Sequence, residues 1–351
     1  MKIGIADADL IGRKRHRFPN LVCMKLSGYY KAKGAEVVLK TDYDGLEAYD
    51  KVYIAKVFTD TPIPEGGLFG NILERENVEY GGTGFYYDKA PALPPEIEHT
   101  KPDYNLYDAW LAKADKGGTE FKAYKEYSIG FLTRGCFRHC AFCVNRKYSK
   151  VFKHSPLEEF LDSSRRKICL LDDNFFGYED WKVELKKLRE TQKTFHFKQG
   201  LDVRLLDDEK AEMLFKAKYD GDYIFAFDDY KDAPIIEEKL KLIRRHTQQD
   251  KIKFYVLCGY DRSGKFDKHF FEEDLRETAL RLKLLKNYKC KGYVMRYKAC
   301  YESDYRQIYN NIASWTNQPQ FAAKMPFTEF VTARYKYLDM AKVKELEKIM
   351  E

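Results

Sequence analysis

The sequence predicts an α/β protein with two successive regions that alternate strands and helices, followed by a helical segment. Three observations support this. The chain opens with an apolar run, an amphipathic stretch and two further apolar runs, in β–loop–α–β order. From residue 127 onwards, six short apolar runs are separated by helical patterns, and residues 302–351 are helical in pattern. Such alternation is typical of parallel sheets covered by helices.

The first region, residues 1–105, is predicted to be a small open α/β domain. Strands are expected at 3–6, 36–39 and 52–57, with a helix at 21–33 that stops at Gly34, a helix C-terminal signal. This order is typical of a Rossmann-like sheet. A proline-rich stretch over residues 91–102 is interpreted as a linker.

The second region, residues 120–300, is predicted to be a partial (βα)6 barrel. Strands are expected at 128–133, 167–171, 194–197, 222–227, 252–257 and 292–295. Helices are expected at 155–167, 180–192, 207–218, 234–245 and 270–287, the first opened by a capping box of Ser155 and Glu158. Six units are too few for the eight-stranded barrel, so an open, partial barrel is expected. Residues 301–351 form a helical C-terminal extension.

Composition and charge exclude a membrane protein and permit an anionic partner. The longest apolar runs are strand-sized, and the N-terminus lacks the long apolar run of a signal peptide. We therefore expect a cytoplasmic protein with no membrane contact. The net charge is +7, with its densest basic run at residues 13–17. That run is either a solvated loop or a contact for phosphate or nucleic acid.

Three of the eight cysteines, Cys136, Cys140 and Cys143, fall within eight residues in the spacing CxxxCxxC. A reducing compartment argues against disulfides, and clustering of this kind indicates a metal or an iron–sulfur cluster. The cysteines directly follow a predicted strand, where parallel α/β folds place their active groups. Three thiolates would leave one iron of a four-iron cluster without a protein ligand, which is an open position for chemistry.

Two other interpretations of these cysteines remain open. A structural zinc could be held by the three thiolates together with His139 or His154. A ferredoxin-like electron carrier could recruit a distant fourth cysteine such as Cys169.

The segment TRGCFRHCAFC closely resembles the signature of the radical S-adenosylmethionine (radical SAM) superfamily. The resemblance implies one [4Fe–4S] cluster held by the three cysteines, with S-adenosylmethionine bound at the open iron. It implies reductive cleavage of that cofactor to a 5′-deoxyadenosyl radical, which abstracts hydrogen from a substrate. An electron donor such as flavodoxin or ferredoxin is then expected. The substrate and the residues that act on it are unknown.

The resemblance extends over about residues 127–297 and implies further cofactor contacts. Asp173 and Asn174 in LLDDNFFG would bind the methionyl amino group or the substrate, and Arg204 in QGLDVRLLD the methionyl carboxylate. Asp228 in AFDDY would contact the ribose, and Gly259 in VLCGYD would lie beside the adenine. The alternative for each is an ordinary polar strand end or turn.

The first region resembles a cobalamin-binding type of domain that often precedes radical SAM cores. The resemblance rests on KIGIAD, YYKAKGAEVVL, YDKVYIAKV and VEYGGTGF. The chain has no Asp-x-His-x-x-Gly, which decides little because many cobalamin-dependent radical SAM enzymes also lack it. The stretch between Thr59 and Gly81 is short, which leaves little chain for the nucleotide tail of cobalamin, and the loop after the first strand is basic at residues 13–17. Cobalamin is therefore an alternative that is not favoured. The alternative functions are a cobalamin-dependent radical SAM methyltransferase and an iron–sulfur electron carrier that does not cleave S-adenosylmethionine.

Overall fold

The computed structural model describes residues 1–64, 71–118, 120–335 and 338–351. By its internal contacts the chain divides into two compact units. The first comprises Met1–Asp172 together with Lys193–Phe195, and the second comprises Asp173–Gln192 together with His196–Glu351.

The first unit begins with a four-stranded parallel sheet, as the β–loop–α–β pattern predicts. Its strand order is β2-β1-β3-β4, where the strands are β1 Lys2–Asp7, β2 Glu36–Lys40, β3 Lys51–Ala55 and β4 Val78–Gly81. Helices α1 (Ala8–Gly12) and α2 (Leu21–Ala32) connect β1 to β2. The side chain of Asn20 accepts the N–H groups of Val22 and Cys23 and so caps α2 at its start. The helix stops before Gly34, which has a φ of +78°.

The interpretation of residues 91–102 as a linker is wrong, because this stretch packs against α2. It contains the short helix α4 (Pro95–Glu98), and it follows α3 (Thr83–Tyr86). Ile97 is buried, and the N–H of Asp103 donates to the carbonyl of Met24 at 2.9 Å. A Cβ on Gly28 would lie 2.3 Å from the carbonyl oxygen of Lys101, so α2 and this stretch are in close contact. Pro94 and Pro95 lie at the start of α4, where proline is tolerated, and Ile97 within the helix remains available for burial.

The first unit also contains a second group of strands. Strand β5 (Tyr127–Gly130) pairs in parallel with β8 (Lys167–Leu170). The same sheet continues to β9 (Thr194–Phe197), of which Thr194 and Phe195 belong to the first unit. The predicted strand at 128–133 is broken after Gly130. Its last residue belongs to β6 (Thr133–Arg134), which pairs antiparallel with β7 (Phe152–Lys153). Helices α5 (Asp108–Ala114) and α6 (Lys122–Glu126) precede β5.

The two sheets of the first unit share one hydrophobic core. Ile3 and Ile5 of β1 belong to the same buried cluster as Ile129 of β5 and Cys169 of β8. Side chains on both sides of the predicted boundaries at residues 105 and 120 join this cluster, namely Tyr104, Leu106, Tyr107, Leu111, Phe121 and Tyr124. The contacts therefore group the residues differently from the sequence pattern, and the domain boundaries stay a prediction.

The helix predicted at 155–167 is much shorter than expected. Helix α7 covers only Leu157–Phe160. The chain leaves the helix because the N–H of Asp162 donates to Ser128 Oγ at 2.9 Å, and the guanidinium of Arg165 donates to the carbonyl of Tyr124 at 2.7 Å. The expected capping box is also wrong, since Ser155 Oγ donates to Glu159 rather than capping the helix with Glu158.

The second unit contains a three-stranded parallel sheet in sequential order, formed by β10 (Tyr223–Ala226), β11 (Ile252–Cys258) and β12 (Lys291–Arg296). The four predicted helices are confirmed as α8 (Trp181–Glu190), α9 (Asp208–Phe215), α10 (Ala233–His246) and α11 (Lys268–Asn287). The helical C-terminal segment follows as α12 (Ala299–Glu302), α13 (Arg306–Thr316), α14 (Pro319–Ala322), α15 (Phe327–Thr332) and α16 (Met340–Met350).

The α/β class is confirmed by these parallel sheets and helices. The union of the six predicted strands in a single partial barrel stays a prediction, because the structure gives two three-stranded sheets. Within the described residues, no helix combines the length and the apolar character needed to cross a membrane.

Candidate functional site

The three clustered cysteines lie in a loop, residues 135–148, which we call the cysteine loop. Its base is held by Asp172, which follows β8 and is 1% exposed. The carboxylate of Asp172 accepts the N–H groups of Leu132 and Thr133 at 3.2 and 2.7 Å, and the hydroxyl of Thr133 at 2.7 Å. Three hydrogen bonds to one buried carboxylate fix the chain just before the loop. Sequence reasoning missed Asp172 and assigned roles to its two following residues.

The loop begins at a position that only glycine can occupy. Gly135 has a φ of +91°, and a Cβ there would lie 2.3 Å from the carbonyl oxygen of Lys150. Lys150 lies two residues before β7, which pairs with β6, so the chain returns to Gly135 just after the cysteine loop ends. A side chain at this position would push the returning chain away.

The cysteines themselves are half-buried, and two of their sulfur atoms face backbone N–H groups. The N–H of Arg138 donates to Cys136 Sγ at 3.5 Å, and the N–H of Asn145 donates to Cys143 Sγ at 3.4 Å. Cys140 is tied to the third cysteine through its carbonyl, which accepts the N–H of Cys143 at 2.9 Å. N–H groups directed at sulfur are also a contact by which iron–sulfur sites are tuned.

The donor types of the loop are those of an iron–sulfur cluster, namely three cysteines in one turn-rich segment with N–H groups directed at two of the sulfur atoms. Within the described residues, however, no group of three or more histidine, cysteine or acidic side chains is gathered closely enough to hold a metal ion, and this includes the three cysteines. Their role as cluster ligands therefore stays a prediction from the motif.

A second segment, residues 87–90, anchors the loop from outside. The hydroxyl of Tyr87 donates to the carbonyl of Phe142, and Arg146 Nε lies 2.6 Å from Asp88 Oδ2. Lys147 Nζ donates to the carbonyl of Ala90 at 3.3 Å. The hydrogen bond from Arg146 lowers the pKa of Asp88. No sequence signal marked this segment, because its partners are distant in the chain.

The two histidines considered as zinc ligands are engaged elsewhere. His139 Nδ1 lies 2.9 Å from the carbonyl oxygen of Arg146. His154 uses both ring nitrogens, with Nδ1 at 2.9 Å from Ser155 Oγ and Nε2 at 3.2 Å from Glu98. Burial alone would raise the pKa of Glu98, but His154 and Lys25 outweigh it and lower the pKa to about 2. The zinc alternative would require His154 to leave an ionised carboxylate.

Cys169, the fourth ligand suggested for an electron carrier, is fully buried on β8. Its side chain belongs to the shared hydrophobic core of the first unit. That placement is typical of a packed thiol, and recruiting it as a ligand would require the core to open.

In the second unit, Asp228 lies just beyond the carboxyl end of β10, as predicted. Its Oδ1 accepts the N–H of Leu257 at 3.2 Å. Burial raises the pKa of Asp228, and the Leu257 N–H and the charges of Arg281 and Arg204 oppose that rise. Among the described residues, none donates a hydrogen bond to its second oxygen, Oδ2. The geometry therefore leaves an acceptor for a hydroxyl group.

Arg204 lies near Asp228, but its guanidinium already faces two aspartates. Nε is 2.8 Å from Asp202 Oδ1, and Nη1 is 2.9 Å from Asp232 Oδ2. To hold a methionyl carboxylate, Arg204 would have to exchange one of these partners. That role stays a prediction.

Gly259 follows β11, and both its backbone conformation and its packing require a glycine at this position. Its φ is +73°, and a Cβ would lie 2.1 Å from Cys300 Sγ. Its N–H donates to Asp274 at 2.8 Å, and Asp274 also accepts the hydroxyl of Tyr309 at 2.7 Å. The predicted contact with adenine stays a prediction.

Arg281 of α11 was missed by sequence reasoning. It is 1% exposed, and its Nη1 donates to the carbonyls of Phe227, Asp228 and Leu257 at 3.1, 3.0 and 2.8 Å. One guanidinium thus ties together the carboxyl ends of β10 and β11. An arginine on the apolar face of a long amphipathic helix is the signal that could have revealed it.

Asp173 and Asn174 open the second unit. Asp173 is half-buried, whereas Asn174 is 2% exposed and its carbonyl accepts the N–H of Gly177 at 2.9 Å. Their predicted role at the methionyl amino group or the substrate stays a prediction.

The basic run at residues 13–17 is partly neutralised within the first unit. Arg13 Nη1 lies 2.6 Å from Asp60 Oδ1, and Arg17 Nε lies 3.1 Å from Glu120. Lys14 and Arg15 are exposed. Contact of this run with phosphate or nucleic acid stays a prediction.

No family model matches the chain. Three solved structures of the cobalamin-dependent S-adenosylmethionine radical enzyme OxsB are similar to it. The form with aqua-cobalamin and S-adenosylmethionine has a TM-score of 0.36 and 10% identity, covering 100% of this chain and 61% of that chain. The apo form has a TM-score of 0.37 and 11% identity, covering 100% and 60%. The aqua-cobalamin form has a TM-score of 0.36 and 11% identity, covering 95% and 56%.

The chain thus spans about three fifths of the length of those structures. A likeness of this degree establishes neither a shared fold nor a shared activity.

Proposed function

We propose that this chain is a radical SAM enzyme that cleaves S-adenosylmethionine reductively at a [4Fe–4S] cluster. The proposal rests mainly on one observation. The CxxxCxxC motif lies in a loop beyond the carboxyl end of β5, and backbone N–H groups are directed at Cys136 and Cys143. The substrate is not identified, and the net charge of +7 is compatible with an anionic one.

Different residues in and around the cysteine loop would hold the cluster through different contacts. Cys136, Cys140 and Cys143 would supply three thiolates, and the N–H groups of Arg138 and Asn145 would donate to the sulfur atoms of Cys136 and Cys143. When bound, the cluster and S-adenosylmethionine would supply the chemistry of reductive sulfonium cleavage. Asp172 fixes the base of the loop, and Asp88 holds its outer side through Arg146.

In the second unit, Asp228 is proposed to accept a ribose hydroxyl of S-adenosylmethionine through Oδ2. Arg281 keeps that carboxylate in place by binding the carbonyl of Asp228 and that of Leu257. Leu257 in turn donates its N–H to Asp228 Oδ1.

Cobalamin is not part of the proposal. In the first unit, the carboxylate of Asp9 accepts the N–H of Val57 at 2.7 Å and the hydroxyl of Thr61 at 2.5 Å. These bonds join α1, which follows β1, to the loop after β3 at the edge where a corrin ring would need a broad face. The short stretch from Thr59 to Gly81 includes residues 65–70, which lie outside the described residues. Stoichiometric cobalamin retention on purification would instead favour the methyltransferase alternative.

The proposed cluster is tested by iron and sulfide analysis after anaerobic reconstitution. Single alanine variants of Cys136, Cys140 and Cys143 should each lose most of the cluster, because each removes one of three ligands. Cys169→Ala is the matched control, since it removes a buried thiol of the same unit and should keep the cluster. A full cluster in the triple cysteine variant, or its loss in Cys169→Ala alone, would contradict the assignment.

A further inference from the structure

Lys56 lies immediately after β3, at the carboxyl edge of the N-terminal sheet. It is 9% exposed, and within the described residues its ammonium group has no ion pair and no hydrogen bond. The group lies over the ring of Phe85, 5.2 Å from the centroid. The side chain as a whole is therefore largely covered, while its ammonium has no anionic partner within the described residues and can pair with an anion.

The position of Lys56 is one where open α/β sheets bind ligands. In the strand order β2-β1-β3-β4, the chain passes from β1 to β2 on one side and then crosses back to β3 on the other side of β1. The direction of the connections therefore reverses between β1 and β3. Ligands of such sheets bind outside the carboxyl ends of the strands at this point.

Residues 82–86, which we call the glycine loop after Gly82 and Gly84, leave the space in which the Lys56 side chain lies. Gly82 has a φ of +109°, and a Cβ there would lie 2.3 Å from the carbonyl oxygen of Lys56. A Cβ on Gly84 would lie 2.4 Å from Lys56 Cγ. The N–H of Gly84 donates to the carbonyl of Lys56 at 2.9 Å, which fixes the loop against the lysine. These glycines allow the backbone to approach a charged side chain closely.

Exposed aromatic side chains lie in the segments beside this lysine. Among the described residues, eleven large hydrophobic side chains are exposed, and four of them lie in the glycine loop or close in sequence to it or to Lys56: Val57, Phe58, Tyr80 and Tyr86. Tyr80 and Tyr86 stack with their ring centroids 5.9 Å apart, and Tyr80 also packs on Phe85, the ring beneath the Lys56 ammonium. Exposed stacked rings suit a flat aromatic group.

We propose that this edge of the sheet binds a small oxyanion, a phosphate or a carboxylate, attached to an aromatic ring. The anion pairs with Lys56, and the ring stacks against Tyr80 and Tyr86. The glycine loop continues into residues 87–90, which contact the cysteine loop. If the ligand is also the substrate of the enzyme, that role rests on the proposed function. The binding of the ligand at this edge does not depend on the proposed function.

Binding of phenyl phosphate and benzoate to the full chain, measured by calorimetry at low ionic strength, tests the proposal. Lys56→Met should weaken binding of both about tenfold or more, since it removes the charge-assisted contact and keeps the side-chain length. Lys51→Met is the matched control, because Lys51 begins the same strand at the opposite edge of the sheet. It should bind both compounds as the wild type does. Inorganic phosphate should bind more weakly than phenyl phosphate because it lacks the ring.

The thermal midpoint without ligand provides a second measurement. Lys56→Met should unfold at the same or a higher temperature than the wild type, because within the described residues the ammonium makes no ion pair or hydrogen bond to lose, and a methionine can pack on the same Phe85 ring. A clear loss of stability would mean that carboxylates of the protein, such as Asp9, already balance this charge, and it would contradict the proposal. Equal binding by wild type and Lys56→Met, or no binding of either compound by the wild type, would also overturn it. These results do not depend on cleavage of S-adenosylmethionine, so they are separate from a failure of the proposed function.

Discussion

At the scale of single residues, the most unusual acid is Asp7 at the carboxyl end of β1. It is fully buried, and it accepts hydrogen bonds from the hydroxyl of Tyr107 at 2.8 Å and from the N–H of Leu10 at 3.2 Å. Burial raises the pKa of Asp7 to about 7, in spite of these two hydrogen bonds. Between the ordinary carboxyl pKa of 3.8 and about 7, the unfolded chain loses this proton while the folded chain keeps it. Stability therefore falls as the pH rises through this window.

We predict that Asp7→Asn makes stability less dependent on pH. The wild type should lose up to about 1.4 kcal/mol of unfolding free energy per pH unit between pH 4 and 7 through this group. Asp7→Asn should not show this loss. The unfolding free energy of the variant minus that of the wild type should therefore increase from pH 4 to 7 and then level off. Urea unfolding of the full chain at several pH values measures this, with Asp44→Asn, an exposed carboxylate of the same unit, as the control. Parallel curves for wild type and Asp7→Asn would contradict the prediction.

A second residue-scale prediction concerns Asp228. Asp228→Ala should weaken binding of S-adenosylmethionine about tenfold or more, because a hydrogen bond to a charged group contributes roughly 1.5–3 kcal/mol. The cluster should remain at the wild-type level. Equilibrium binding to the reconstituted protein measures the dissociation constant. Asp229→Ala is the control, since the neighbouring carboxylate pairs with Arg262 at 3.0 Å instead. An unchanged dissociation constant for Asp228→Ala would remove this residue from the site.

At the scale of elements, the cysteine loop depends on backbone geometry as much as on its thiols. Asp172 fixes its base, Gly135 lets the chain return close to the start of the loop, and Tyr87 and Asp88 hold its outer side. The motif alone predicted the ligands. It could not predict these supports, because they come from segments that are far apart in the sequence and meet only through the fold.

We predict that Gly135→Ala impairs cluster assembly. The new Cβ would collide with the carbonyl of Lys150, in addition to adopting an unfavourable positive φ. Iron content after reconstitution should fall to less than about half of the wild-type value while all three cysteines remain, since the ligand geometry is displaced. Gly117→Ala is the matched control, because Gly117 has a φ of +85° but nothing within 4 Å of its Cβ. Equal iron content in wild type and Gly135→Ala would show that the loop tolerates a side chain there.

Other elements show why some predictions succeeded and others failed. The apolar runs predicted β8, β9 and β11 to within one residue, because a buried strand is a local property of composition. The helix at 155–167 failed because Ser128 and the buried Arg165 capture the backbone after Phe160. The supposed linker failed because prolines are compatible with burial when apolar residues lie between them.

At the scale of the whole molecule, the chain comprises two compact units. The α/β class followed from the alternation of short apolar runs with amphipathic stretches. The core that joins β1 to β5 and β8 includes aromatic side chains of residues 104–124, and the division of the chain into domains stays a prediction. Of the proposed site, the cysteines were evident from their spacing, whereas Asp172 and Arg281 became visible only through the carboxylate and carbonyl contacts they make.

The most direct test of the central claim is the formation of 5′-deoxyadenosine by the reconstituted, reduced protein supplied with S-adenosylmethionine. The wild type and Cys169→Ala should both form it, and the triple alanine variant of Cys136, Cys140 and Cys143 should form none. If the wild type carries a full cluster and forms no 5′-deoxyadenosine with any reductant, the chain is not a radical SAM enzyme, and the electron-carrier alternative takes its place.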